Sequence, residues 1–165
     1  MRGFEKISFA QFQKDVSDDK EFYETYPLPA RKTRASAGYD FFSLIDYELQ
    51  PGEKIVVPTG IKAYFPEDEF LMIVVRSSLG FKHNVRMCNQ VGIIDSDYHN
   101  SPKNEGHMWI SLQNHGDEVF SIKKGEAFCQ GIFLRYLTCG EEVTEKREGW
   151  SAVEATQKIK STKEG

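Results

Sequence analysis

The feature that most constrains this chain is a run of short apolar segments cut by turn residues, with no helical pattern between them. "EKIVVPTGIKAYF" begins after the turn signal Pro51-Gly52, and "EFLMIVVRSS" is a strongly apolar strand candidate. "GHMWISLQN" alternates, with Met108, Ile110 and Leu112 on one face and Trp109 and Ser111 on the other. "EVFSIKKGEAFCQGIFLRYL" reads as two strands broken at Lys124-Gly125. Strands of this length, punctuated by Gly, Pro, Asn and Asp, predict an all-β sandwich, barrel or jelly roll. The missing helical intervals argue against a parallel βαβ sheet.

Before the strands, "SFAQFQKD" predicts a short helix over about residues 8–16. Ser8 can cap it, Gln11 stands at the capping-box spacing, and Phe4, Phe9 and Phe12 supply its apolar face. Pro27 and Pro29 give "YETYPLPARKTRAS" an extended path. The last segment, "EKREGWSAVEATQKIKSTKEG", is polar and charged and reads as a tail. The expected organisation is one β domain over residues 1–140 and a C-terminal tail over residues 141–165.

The 165 residues suffice for one domain with a sizeable core. A net charge of −4 leaves no basic excess for a polynucleotide backbone, so no nucleic-acid partner is expected, while a small phosphorylated ligand needs only a few local cations. No apolar run approaches the ~20 residues of a membrane span. The N-terminus is too charged for a secretory signal, and a cytoplasmic protein is expected. Cys88, Cys129 and Cys139 lie far apart without a CxxC spacing and read as buried thiols. His83, His99, His107 and His115 show no paired ligand pattern, so no protein-built metal site is expected.

Five segments could carry chemistry. "RSSLG" offers the planar fork of Arg76, the hydroxyls of Ser77 and Ser78, and a close backbone approach at Gly80. It is either a phosphate cradle or a plain strand-to-turn junction. In "NQVGIIDSDY", Gly92 suggests a hairpin turn. Asp95 is positioned to act as general base, and Tyr98 offers a flat face to a sugar or base; the alternative is a polar hairpin tip. "SAGYDFF" sets Asp40 at a strand start, to buttress an arginine or to serve as a turn acid. "GEAFCQGIF" places Gln130 in an apolar strand, as a ligand donor or an edge residue. "TEKREGW" carries Arg147, which could close over a polyphosphate or stay solvated.

Taken in order, "SAGYDFF", "RSSLG", "NQVGIIDSDY" and "KKGEAFCQGIF" resemble the first four motifs of the trimeric dUTPase family, over roughly residues 26–138. The third match is the most specific. The family usually has Gly where Ser78 stands, and many members have Arg where Ala127 stands. The fifth motif departs: "KREGWSAVEATQ" keeps Arg147 and Gly149 but lacks the glycine-rich run, and Trp150 stands near a phenylalanine's place. "NSPKNEG" is an insertion between Tyr98 and the next strand.

The resemblance implies an all-β jelly-roll (β-clip) homotrimer with sites between subunits, converting dUTP to dUMP and pyrophosphate. Carried over, Asp95 activates the attacking water, and Tyr98 packs under the deoxyribose and excludes a 2′-hydroxyl. Asn89, Gly92, Ile93 and Ile94 read the uracil, with Trp109 completing the pocket. Arg76, Ser77, Ser78 and Gln130 contact the phosphates, Asp40 holds Arg76, and Arg147 covers the γ-phosphate. Asp97 shapes the turn. Mg2+ is implied, held by the substrate phosphates and water rather than by side chains. Two other readings stand beside this one: a dCTP deaminase-like enzyme, and a trimeric dUTP-binding or regulatory protein with weak turnover because of the altered tail.

Overall fold

A computed structural model describes residues 1–140. The expected tail, with Arg147 and Trp150, lies outside the described residues. Among the described residues eleven strands form: β1 (Gly3–Lys6), β2 (Tyr39–Phe42), β3 (Tyr47–Leu49), β4 (Lys54–Pro58), β5 (Ile61–Tyr64), β6 (Glu69–Val75), β7 (Val85–Met87), β8 (Gly92–Asp95), β9 (Trp109–Asn114), β10 (Phe120–Ile122) and β11 (Ala127–Arg135). Every strand pair is antiparallel. The larger sheets run β2-β11-β6-β8 and β4-β9-β7, and β1-β5 and β3-β10 form two-stranded ribbons. This is the all-β jelly-roll architecture expected from the strand pattern.

One core joins the sheets, with Leu71, Leu112, Val85 and Phe128 fully shielded. The alternation in β9 falls as read: Ile110 and Leu112 are buried, while Trp109 and Ser111 are partly exposed. "EKIVVPTGIKAYF" is two strands rather than one. Gly60 adopts φ 70° between them, and a Cβ there would stand 2.8 Å from Leu44 Cδ1, so the chain bends where only glycine fits.

Three α-helices accompany the strands among the described residues. In α1 (Phe9–Asp15), Gln11 N–H donates to Ser8 Oγ at 3.2 Å, the expected cap. Phe12 is its buried anchor, but Phe4 lies in β1 and packs on Tyr39, Phe41 and Phe133 rather than on the helix. A second helix, α2 (Lys20–Thr25), was not anticipated; Asp19 caps it, and it stops before Pro27, so the extended path begins at Tyr26. The third, α3 (Ser77–His83), begins inside "RSSLG" and replaces the strand-to-turn junction. Because α3 leads from one sheet to another, it does not make a βαβ unit. Of the three cysteines Cys129 alone is buried; Cys88 sits exposed at a turn and Cys139 is exposed near the end of the described residues. No described helix is long and apolar enough to cross a membrane.

Candidate active site

The centre of the large sheet ends at Arg76. Three elements meet there. β11 pairs with both β2 and β6, which sets Gln130 opposite Asp40 on one side and Val74 on the other. Arg76 follows β6 directly, with its Nε 3.2 Å from Asp40 Oδ1 and its backbone N–H on Phe128 O at 3.3 Å. Both partners are only partly exposed, 32% for the Arg76 side chain and 17% for Asp40, so the guanidinium is aimed rather than swinging in solvent. Gln130 leans over Gly38: a Cβ at Gly38 would sit 2.1 Å from Gln130 Oε1. Ser77 and Ser78 form the first turn of α3, next to this pair. Gly80 lies inside α3 with open space around it, so it is a surface helix residue and not a close backbone approach.

A cavity of about 320 Å³ adjoins the cluster, lined by Arg76, Ser78, His83, Phe120 and Ala127 among others. The small side chain of Ala127 leaves that wall open. The donors gathered here are a guanidinium, hydroxyls and an amide, which suit phosphate oxygens. Among the described residues no group of three or more His, Cys, Asp or Glu could hold a metal ion. Two carboxylates stand here: Asp40, paired with Arg76, and Glu126 on the cavity wall, whose Oε2 accepts from Lys123 N–H at 3.2 Å. The gathered cation and donors fit a polyphosphate, and a divalent cation carried by such a ligand would need no side-chain ligand here.

The second group of residues lies elsewhere. β7 and β8 do not pair with each other: β7 joins β9, and β8 joins β6. The expected hairpin is thus not a paired ladder: its two arms are edge strands of different sheets, joined by the turn at Cys88–Gln90. Gly92 is not its turn. It is buried in β8 opposite Ile73, where a Cβ would come 3.2 Å from Ile73 Cβ. The chain turns instead at Cys88–Gln90, where Gln90 takes φ 63° and Asn89 is exposed. Among the described residues β8 is an edge strand, and its outer backbone N–H and C=O groups have no strand partner there. Ile93 is 55% exposed and Asp95 is exposed at the strand's end. Asp97 is exposed in the 3₁₀ turn Ser96–Tyr98.

Tyr98 ends that turn, half-buried, with its hydroxyl donating to His107 O at 2.9 Å. Burial pushes its phenol pKa up, against the opposing hydrogen bond from Asn104. Trp109 stands with this group, its ring 5.0 Å from that of His107. Behind them is a network that sequence reading missed. His107 is fully buried; its Nε2 accepts from Gly60 N–H at 2.8 Å, so its proton sits on Nδ1 and points to Asp15 Oδ2 at 2.6 Å. The only sequence signal was the place of His107 just before an alternating strand, which says nothing of a partner 92 residues away.

The structure therefore brings Asp40, Arg76, Ser77, Ser78 and Gln130 to one place, and links Tyr98 to Trp109 through His107. It does not join the two sets within one chain. β8 runs antiparallel to β6 with Asp95 opposite Phe70, six residues short of Arg76. At ~3.4 Å per residue, that sets the backbones of Asp95 and Arg76 about 20 Å apart along the strand.

Fold and site together define a class: an all-β jelly-roll domain whose polar residues gather at strand ends. Comparison with known proteins narrows it. The dUTPase family model matches residues 24–162, and the chain belongs to that family. It is 43% identical over 122 residues to the deoxyuridine 5'-triphosphate nucleotidohydrolase of Lactococcus lactis subsp. lactis (strain IL1403), covering 73% of this chain and 81% of that one. The enzyme of the same name from Haemophilus influenzae (strain PittEE) is 38% identical over 130 residues, covering 77% of this chain and 82% of the relative. The crystal structure of dUTPase from Streptococcus mutans superposes with a TM-score of 0.68 at 35% identity, covering 84% of this chain and 99% of that one.

Proposed function

We propose that this protein hydrolyses dUTP to dUMP and pyrophosphate, as a homotrimer with sites shared between copies. The observation that carries this reading is the cradle of Arg76, Asp40, Gln130 and the start of α3, which presents a fixed cation and several donors beside an open cavity. Membership of the dUTPase family points to the substrate.

In this mechanism Asp95 takes a proton from water, and the resulting oxygen attacks the α-phosphorus. The bond from that phosphorus to the α–β bridging oxygen breaks, and pyrophosphate leaves with the electron pair. Arg76, Ser77, Ser78 and Gln130 hold the phosphate oxygens as charge develops. Arg76, Ser77, Ser78 and Gln130 would hold the triphosphate together with its Mg2+, which would supply neutralisation of part of the phosphate charge. The exposed edge of β8 offers main-chain groups to uracil, with Asn89 exposed in the turn that precedes it. The ring of Tyr98 stands under the deoxyribose, beside Trp109. Arg147, on the tail over residues 141–165, covers the γ-phosphate.

The register of β6 and β8 supports shared sites, since a backbone separation of about 20 Å exceeds any contact between water, Asp95 and an α-phosphate bound at Arg76 of the same chain. A second copy must then supply one of the two sets. Pyrophosphate release by the pure protein with dUTP and Mg2+ tests the activity. Asp95→Asn lowers turnover by ~10²–10⁴, the range for removing a general base. A wild-type rate no faster than the variant's overturns the reading, and release of ammonia from dCTP would replace it with deamination.

A further inference from the structure

The insertion over residues 100–106 has no role in the mechanism above, yet it is tied down both within itself and to the rest of the described residues. Asn100, Glu105 and Gly106 all take positive φ, at 55°, 60° and 83°, so the loop has one specific shape. Asn100 N–H donates to Glu105 O at 2.9 Å, and Glu105 N–H to Ser101 O at 2.8 Å. Outward ties fix it to the rest of the chain: Lys62 Nζ to Asn100 Oδ1 at 2.7 Å, and Ser8 N–H to Glu105 Oε2 at 2.9 Å. A Cβ on Gly106 would lie 2.4 Å from Tyr98 O, so the loop is packed directly against that residue.

At its centre is Asn104, 2% exposed. Its Nδ2 donates to the Tyr98 hydroxyl at 2.8 Å and lies 3.3 Å from His107 O, while its Oδ1 accepts from Gly106 N–H at 3.1 Å. The Tyr98 hydroxyl in turn donates to His107 O. The far end of the phenol is thus held at both its donor and an acceptor position. His107 is itself braced by Gly60 and by Asp15 of α1.

We infer that Asn104 is a positioning residue for sugar selection: the insertion pins the Tyr98 hydroxyl so that the ring face stands at a fixed height under the 2′-carbon. Steric exclusion of one oxygen works only if the excluding wall cannot retreat, and displacements of about 1 Å are enough to change rates ~10²-fold. A tyrosine whose hydroxyl met only solvent could tilt away from a ribose. Here tilting breaks two hydrogen bonds and leaves one of the two Asn104 amide N–H donors buried without its partner, the other still facing His107 O.

The inference rests on Tyr98 being the sugar gate, and the experiment separates the two. The quantity read is the ratio of kcat/KM for dUTP to that for UTP. A purely structural loop would depress both substrates alike and leave the ratio unmoved. Asn104→Ala lowers the ratio about tenfold, the order expected for one such hydrogen bond. Tyr98→Phe, which removes only the hydroxyl, lowers it to a similar extent, and the double variant falls no further because both act through one bond. An unchanged ratio in Asn104→Ala, or effects that multiply in the double variant, overturns the inference. If Asn104→Ala does not fold, Tyr98→Phe decides alone, an unchanged ratio overturning it. A fall with Tyr98→Ala beside an unmoved Asn104→Ala removes the buttress and keeps the gate; no change even in Tyr98→Ala removes the gate itself.

Discussion

Individual residues at the cradle owe their positions to very small side chains nearby. Gly38 is the clearest case, since any Cβ there would take the place of the Gln130 amide, 2.1 Å away. The obstacle is the end of a flexible side chain, so Gly38→Ala is expected to fold with a urea midpoint close to wild type. The cost falls on the site: Gln130 must swing off Asp40 and Gly38, and dUTP turnover drops about tenfold, the scale of a misplaced contact. Steady-state rates with a urea titration of the same sample check both halves. The identities of Asp40, Arg76, Asp95, Tyr98 and Gln130 as candidates were legible from residue type and order. Asn104 was not, because a buried asparagine in "NSPKNEG" has the same composition as any polar turn.

Elements are where burial and charge set stability. α1 has seven residues, too few to hold by its own hydrogen bonds, and it is retained by what it buries. Phe12, with no exposed surface, stacks on Tyr26 at 5.6 Å and meets Tyr23 at 5.3 Å. Phe12→Ala is expected to cost ~3–5 kcal/mol in urea unfolding, since the cavity opens inside an aromatic cluster. The other tie of α1 is Asp15 to His107. Burial lowers the His107 pKa, with the hydrogen bond and charge of Asp15 opposing. The unfolded chain therefore binds a proton that the folded chain refuses. Stability is fully present above the ordinary histidine value of about 6.5 and declines as pH falls below it. Asp15, whose carboxyl is held low by its hydrogen bonds from His107 and Gln11 despite burial, adds its own loss only in stronger acid. Urea midpoints taken from about pH 7.5 down to about pH 5 should fall in wild type and flatten in His107→Gln.

For the molecule as a whole, the decisive fact is that the cationic cluster and Asp95 lie at opposite ends of β6. If sites form between copies, two inactive variants can repair each other. Chains carrying Asp95→Asn and chains carrying Arg76→Ala, unfolded together in equal amounts and refolded, should recover about a quarter of wild-type activity, because random assembly pairs an intact Asp95 with an intact Arg76 at that fraction of interfaces. No recovery would mean each chain builds its own site.

The strand pattern alone determined the all-β class, the cap at Ser8, the alternation of β9 and the break at Gly125, because these depend on neighbours within a few residues. Order of motifs was enough to point to the family. What only the tertiary structure decided is everything set by partners distant in sequence: that β7 and β8 part company into two sheets, that Gly92 packs on Ile73 instead of turning, that His107 is braced by Asp15, and that Asn104 meets Tyr98. Hydrophobic periodicity reports whether a residue points inward, and says nothing of which other segment will be waiting there.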